Sequence, residues 1–317
     1  MSKMTNEVDV KVRNFCGKSK IFFLIVLALV LISLLSSFTG VDVALEFKGG
    51  TIITYSYTGD MDEKTLESEL SELIGSSVTA QQGDSLSDGG KTLSLSFSSN
   101  DGLTIERQAE VTDKIQSLYP DSELEVLDSN DVDARSGGEF FSKCIVAAVF
   151  AALILIVYIA LRFKQISGWS AGVCAVLGLI VTLVVTYGGV ILCGFEINSN
   201  FMAVILTLLG YAINDTIVIY DRIRENQKLM NVSIEELVNI STSQSLRRSL
   251  RTSITTFGAM LVVTIVSLAM GLDSIISFSI PMMVGIVMGT YNSLCFVPSL
   301  WVWWQKKRGI TKLKAAK

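Results

Sequence analysis

The sequence contains no histidine. The side chain that titrates nearest neutral pH is therefore missing, and any proton-handling mechanism has to run on carboxylates. The same absence excludes a Ser-His-Asp triad. Only three prolines occur, which argues against long disordered tracts. Cysteine is scarce and poorly placed for bridges. Cys16, Cys144, Cys174, Cys193 and Cys295 all lie outside the polar segment 40–140, so that segment has no disulfide framework. The five read instead as apolar residues in or beside buried helices. Charge is sparse too, at 18% of residues against 50% hydrophobic, a balance that places the chain among membrane proteins. There is no Walker loop and no cluster with metal-ligand spacing, so no cofactor, no metal and no hydrolytic site is expected.

What the chain does have is apolar runs. Ile21–Phe38 is long enough to span a bilayer. It exits through Ser36-Ser37-Phe38-Thr39-Gly40 without a small-x-small cleavage site, and it reads as a retained anchor rather than a signal peptide. About a hundred residues later five more runs follow, near Phe140–Leu161, Trp169–Cys193, Phe201–Tyr220, Ser249–Gly271 and Phe278–Trp304. The expected fold is a polytopic α-helical membrane protein with six transmembrane helices. The expected division is an N-terminal segment 1–20, a first helix 21–38, an inserted domain 40–138, a five-helix bundle 140–304 and a basic tail 305–317.

Lysine and arginine set the direction. Lys11, Arg13, Lys18 and Lys20 precede the first span, Arg162 and Lys164 follow the second, and Arg222, Arg224, Lys228, Arg247 and Arg248 lie between the fourth and fifth. Lys306, Lys307, Arg308, Lys312 and Lys314 follow the last. The opposite short connections, 194–200 and 271–277, carry neither residue. Both termini are expected inside and residues 40–138 outside. Trp301, Trp303 and Trp304 stand where an interfacial aromatic belt belongs. The tail beyond them suits contact with anionic lipid head groups, or serves as a topology signal.

In the inserted segment, Val43–Tyr57 looks strand-like with Gly49-Gly50 inside it, and Asp62–Ile74 reads as a helix capped by Asp60 or Asp62. Ser76–Gln82 is a short strand, Lys91–Phe97 alternates as a half-buried strand, Leu103–Leu118 is a second helix stopped by Pro120, and Glu123–Leu127 alternates again. The order β-α-β-β-α-β is the ferredoxin-like plan, giving an α+β domain between helices 1 and 2. Its acidity argues against nucleic acid and suits a solvated surface or a docking face for a basic partner. Ile234–Ile240 reads as a short amphipathic helix along the interface.

The fourth span is the most polar. On a 100° wheel, Thr207, Gly210, Tyr211, Asn214, Asp215, Asp221 and Arg222 share a face. An ionisable residue in hydrocarbon is a functional-site hypothesis by default, and Gly210 would permit close helix approach. Asp215 lies six residues before the charged end at Asp221, about 9 Å deep at 1.5 Å per residue. In the fifth span Arg248, Arg251, Thr252, Thr255 and Thr256 share a face. A long arginine stem bridges much of the gap to Asp215, so Asp215 with Asn214 and Arg248 or Arg251 forms a candidate proton-responsive site, or else a static polar clamp between helices. Asp221, Arg222, Arg224 and Glu225 read as an interface charge cluster, and Asp273 as a solvated residue of an outer turn. Gly285-Ile286-Val287-Met288-Gly289 is a G-x-x-x-G helix-packing pattern.

The run Gly210-Tyr211-Ala212-Ile213-Asn214-Asp215-Thr216, followed by Tyr220-Asp221-Arg222-Ile223-Arg224-Glu225-Asn226, resembles the fourth helix of the SecD/SecF family, SecF type, with Ala212 where serine is usual. Glu46-Phe47-Lys48-Gly49-Gly50-Thr51 is similar to that family's Asp-Phe-x-Gly-Gly-Thr signature after the first helix and reads as a hinge near the membrane, with Glu46 keeping the charge of the family's aspartate. Gln244–Thr256 matches the family's fifth-helix start, with Arg248 at the family arginine and Arg251 where asparagine is frequent. Gly285–Ser293 fits its last helix, with Asn292 a departure. The stretch 131–139 lacks the family's Gly-Pro.

This resemblance implies a subunit of the bacterial cytoplasmic membrane that pairs with SecD, acts with the SecYEG channel and uses the proton-motive force to promote export of precursor proteins. It implies no enzyme activity and no nucleic-acid partner. The alternatives are half of an RND-type small-molecule or lipid exporter, and a translocon scaffold without proton coupling.

Overall fold

The computed structural model describes residues 12–84, 91–98, 103–120, 122–132, 134–270 and 272–313. Six helical spans among them are long and apolar enough to cross a membrane. α1 (Ser19–Ser36) comes first, then a small sheet domain, then α5 (Ala134–Arg162), α6 (Gly168–Leu192), α7 (Ser199–Leu229), α8 (Ile234–Ala269) and α9 (Asp273–Tyr291). A π-helical turn at Asn292–Phe296 joins α9 to α10 (Val297–Lys307) without a break. The six spans and the inserted α+β domain bear out the expected fold class.

The inserted domain runs α2 (Leu45–Lys48), β1 (Gly50–Tyr57), α3 (Glu63–Ile74), β2 (Val78–Asp84), β3 (Lys91–Ser98), α4 (Ile105–Leu118) and β4 (Glu125–Val132). The sheet is antiparallel throughout, in the order β2-β3-β1-β4, as the ferredoxin-like plan requires. Alternation explains its core. Ile53, Tyr55 and Tyr57 of β1 and Leu93, Leu95 and Phe97 of β3 point to one face and are buried beneath Leu66 and Leu70 of α3 and Val111 and Ile115 of α4. The interleaved serines and threonines keep the other face polar. Asp62 takes the N-cap of α3, where its carboxylate accepts the Thr65 hydroxyl at 2.5 Å.

The strand begins later than its composition suggests. Leu45–Lys48 is a single helical turn, Gly49 ends it at φ 80°, and Gly50 opens β1 at φ 142°. Phe47 on that turn packs against Phe140 and Phe141 of α5, with ring centroids 6.0 and 5.8 Å away. Val43 instead bridges Ile197 in the α6–α7 turn, with Ala44 N–H donating to Ile197 O (3.0 Å) and Ile197 N–H to Asp42 O (2.8 Å). Of the residues read as a hinge, Thr51 is a buried clamp. Its hydroxyl donates to Asp131 Oδ1 (2.5 Å) and accepts from Leu103 N–H (2.6 Å), fixing β4 and the approach to α4 on β1. Thr51→Val keeps the shape but orphans a buried N–H. The expected cost is about 2 kcal/mol, read as accelerated amide exchange at Leu103 and in β4. Glu46 lies in the helical turn; its side chain is outside the described residues.

In the bundle, α6 is central and contacts α1, α5, α7, α9 and α10. At the end bearing the basic residues, Phe163, Tyr220 and Trp301 stack edge to face at 5.9 and 6.0 Å. Trp301 is fully buried and donates to Ser170 Oγ (3.1 Å), whereas Trp303 is exposed. The aromatic belt therefore excludes Trp301, because two residues of helix turn it some 200° away from Trp303. The expected short helix at Ile234–Ile240 is likewise part of a longer element. Ser233 caps α8 by accepting from Glu236 N–H (3.3 Å), and the helix then runs unbroken to Ala269 because no breaker intervenes. α7 too stays helical through the charged stretch to Leu229, where a loop begins.

Candidate functional site

α7 and α8 pack side by side over the stretch that holds Asp215. Asp215 is 8% exposed and turned into this contact. The Ser249 hydroxyl of α8 faces its carboxyl, and Arg248 is the cation whose field reaches it. No bond of ordinary length joins the groups: Ser249 Oγ is buried and unpartnered, and Arg248 is exposed and outside ion-pair distance. Arg251 lies nearly a turn deeper, on the exposed face of α8.

Asn214, the neighbour of Asp215, points the other way. Thr207, Gly210 and Asn214 are exposed on α7, and Arg248, Arg251, Thr252 and Thr255 are exposed on α8. The polar stripe of α7 thus does not turn wholly inward. Asp215 and the Tyr211 hydroxyl are buried in the bundle, while Thr207, Gly210 and Asn214 face out of it. A Cβ built at Gly210 would meet nothing within 4 Å. The threonines of α8 satisfy themselves by donating to the carbonyls four residues back, Thr252 to Arg248 O (3.1 Å), Thr255 to Arg251 O (2.8 Å) and Thr256 to Thr252 O (3.0 Å). Tyr211 Oη is buried without a partner.

Behind Asp215 lies a polar core that residue spacing alone did not single out. Thr216 donates to Ser293 Oγ (2.8 Å), and Ser293 to Ala212 O (2.9 Å). Asn292 Nδ2 donates to Gly178 O (3.0 Å) and Thr182 Oγ1 (2.8 Å), while its Oδ1 has no partner. Ser253 and Thr290 share a hydrogen bond of 2.6 Å between α8 and α9. Among these residues is a void of about 10 Å³, room for at most one water. The signal was the departure at Asn292. It starts the π turn, a local irregularity that frequently marks functional helices. Gly285 and Gly289 lie against α7, where added Cβ atoms would fall 2.3 Å from Leu208 Cδ1 and 2.9 Å from Ala212 Cβ.

Toward the basic end the charged cluster ties helices together. Asp221 accepts from Arg162 of α5 (3.3 Å) and Arg224 (2.6 Å), Arg222 pairs with Glu225 (3.0 Å), and Gln244 of α8 accepts from both Arg222 Nε (2.6 Å) and Asn226 Nδ2 (2.8 Å). The N-terminal segment docks on α8 at the same end, with Asn239 Oδ1 accepting from Phe15 and Cys16 N–H at 2.9 Å each. The side chain of Asp273 lies outside the described residues.

Chemically, the α7–α8 contact offers a buried carboxyl beside a hydroxyl and an exposed arginine, at the margin of an exposed polar face. Residues 110–307 match the family model for the C-terminal region of the protein export membrane protein SecD/SecF. The chain is 32% identical to the protein translocase subunit SecF of Petrotoga mobilis over 94% of this chain and 98% of that one. It is 31% identical to that of Calditerrivibrio nitroreducens, over 89% and 90%. Among solved structures it is similar to the crystal structure of SecDF, a translocon-associated membrane protein from Thermus thermophilus, with a TM-score of 0.76 and 29% identity over 95% of this chain. The chain spans 40% of that larger SecDF chain. By sequence and by fold, then, the chain belongs to the SecD/SecF family of protein export membrane proteins.

Proposed function

We propose that this chain is the SecF half of a SecD–SecF pair, an auxiliary subunit of the Sec translocase that couples the proton-motive force to export of precursor proteins through SecYEG. The observation that carries the reading is the α7–α8 face. Lipid cannot satisfy Asn214, Arg248 and Arg251, because polar side chains at membrane depth face protein or a wet cavity. A second membrane half would cover this face and enclose Asp215. In this reading Asp215 takes up and releases the proton, with Asn214, Arg248 and Arg251 on the proton path. The lysines and arginines gathered at one end support placing that end and both termini in the bacterial cytoplasm, with residues 40–138 outside. One charge crossing the membrane contributes about 2.3 kcal/mol per 100 mV, enough to shift a conformational equilibrium of a few kcal/mol.

The test is precursor import into vesicles holding SecYEG and SecD, with and without this chain, under an imposed proton gradient. Import is expected to gain a gradient-dependent increment only when both halves are present. A cysteine placed at Asn214 or Thr255 is expected to cross-link to SecD. Cross-links exclusively between copies of this chain would overturn the pairing.

A further inference from the structure

A cavity of about 550 Å³ opens at the basic end of the bundle, between the end of α5, the start of α6 and the end of α10. Its size is that of small-molecule sites, about 300–1,000 Å³. Lys164 and Arg308 line it, with Ser167, Gly168, Trp169 and Leu161. It is separate from the α7–α8 site.

The two cations lack, among the described residues, the carboxylate partners that several others at this end have. Arg162, Arg222, Arg224 and Lys306 at this end each have a carboxylate partner. Among the described residues Lys164 and Arg308 have none, and both are exposed. They come from segments far apart in sequence, yet line one cavity. α6 also starts here. Ser167 holds the N-cap position with a left-handed backbone (φ 63°) and makes no side-chain cap bond, so the first amides of α6 add to the positive potential. The floor is rigid, since a Cβ at Gly168 would fall 2.4 Å from Ala160 O. The remaining wall is apolar and open: Trp169 is 67% exposed and Leu161 60%. A site for a free anion would have no use for that wall. An amphipathic ring at the level where two spans end, beside unpaired cations, matches the junction of a lipid's phosphate with its acyl chains.

We infer that this cavity is a binding site for the head group of an anionic phospholipid. The phosphate sits between Lys164, Arg308 and the start of α6, and the glycerol and first acyl carbons lie on Trp169 and Leu161. The inference rests on the membrane-spanning reading of α5 and α6 and is independent of proton coupling at Asp215.

The test uses the full chain in phosphatidylcholine nanodiscs titrated with phosphatidylglycerol, with retained lipid counted by native mass spectrometry. Combined Lys164→Ala and Arg308→Ala is expected to weaken the retained phosphatidylglycerol by roughly tenfold per cation, the scale of a hydrogen bond to a charged group. Lys228→Ala with Lys312→Ala removes the same charge from this end outside the cavity and is expected to leave retention within about twofold. The exchanged pair Lys164→Arg with Arg308→Lys is expected to restore binding. Trp169→Ala is expected to release lipid without creating phosphate sensitivity. Equal losses in the two alanine pairs, or equal retention of phosphatidylcholine, would overturn the proposal. So would displacement by inorganic phosphate together with a silent Trp169→Ala, which would mark a free-anion site.

Discussion

Asp215→Asn is expected to abolish the gradient-dependent increment of precursor import while leaving the protein folded and assembled with its partner. Asparagine matches aspartate in shape and hydrogen-bonding reach but cannot carry a proton, so the substitution removes only the titration. At 8% exposure in an apolar bundle, an ionised carboxylate is costly, and its replacement by an amide is expected to leave thermal stability unchanged or raised. The neighbouring groups sharpen the expectation. Arg248 adjoins Ser249, whose hydroxyl faces Asp215, and Arg251 lies nearly a turn farther along α8. Arg248→Gln is therefore expected to depress the increment strongly, and Arg251→Gln weakly. Vesicle import at matched expression, with and without the gradient, reads all three variants. Full coupling in Asp215→Asn would reduce Asp215 to a polar clamp between α7 and α8 and leave the chain a scaffold.

Gly50→Val is expected to unfold the sheet domain while sparing the bundle. Gly50 sits at φ 142°, and a Cβ there would fall 2.0 Å from the carbonyl oxygen of Phe97, its neighbour across the β1–β3 ladder. Two costs add. The backbone leaves a region essentially reserved for glycine, about 1–3 kcal/mol, and the central strand pair must separate to admit the side chain. Together they approach the whole stability of a small domain, about 5–15 kcal/mol. Gly40 isolates the first cost, since its φ is 108° and a Cβ there would meet nothing within 4 Å. Gly40→Val is expected to be tolerated with a modest loss. Limited proteolysis of the full protein separates the outcomes: cleavage between β1 and β4 for Gly50→Val, and an intact domain for Gly40→Val. Resistance of both would show that the strand pair yields at little cost.

Periodicity carried most of the fold. The six spans and the β-α-β-β-α-β order follow from runs and alternations that a single sequence displays. Its failures have physical causes. Leu45 and Phe47 alternate like strand residues, yet Gly49 at φ 80° caps Leu45–Lys48 as a helical turn and the strand starts only at Gly50. Ile234–Ile240 has its own cap, but nothing stops the helix, so it merges into α8. Trp301 shares composition with Trp303 but not direction. At the site, the polar residues of α7 were visible one by one. Their division was not, because which way Asn214 and Asp215 point depends on α8 and on what lies beyond the chain. The Thr216–Ser293 and Asn292–Thr182 hydrogen bonds were hidden more deeply, since they join residues far apart in sequence at a helical irregularity.

The two backbone hydrogen bonds that hold Asp42 and Ala44 to Ile197 have a mechanical meaning. Ile197 lies two residues before α7 begins at Ser199, and Asp215 lies sixteen residues farther along the same helix, about 24 Å at 1.5 Å per residue. The stalk of the sheet domain is thus riveted to the head of the rod that carries Asp215. A pull on the domain first meets this rivet. A large displacement must either shear the rivet or tug α7 along its axis, so the domain and the buried carboxyl are parts of one linkage.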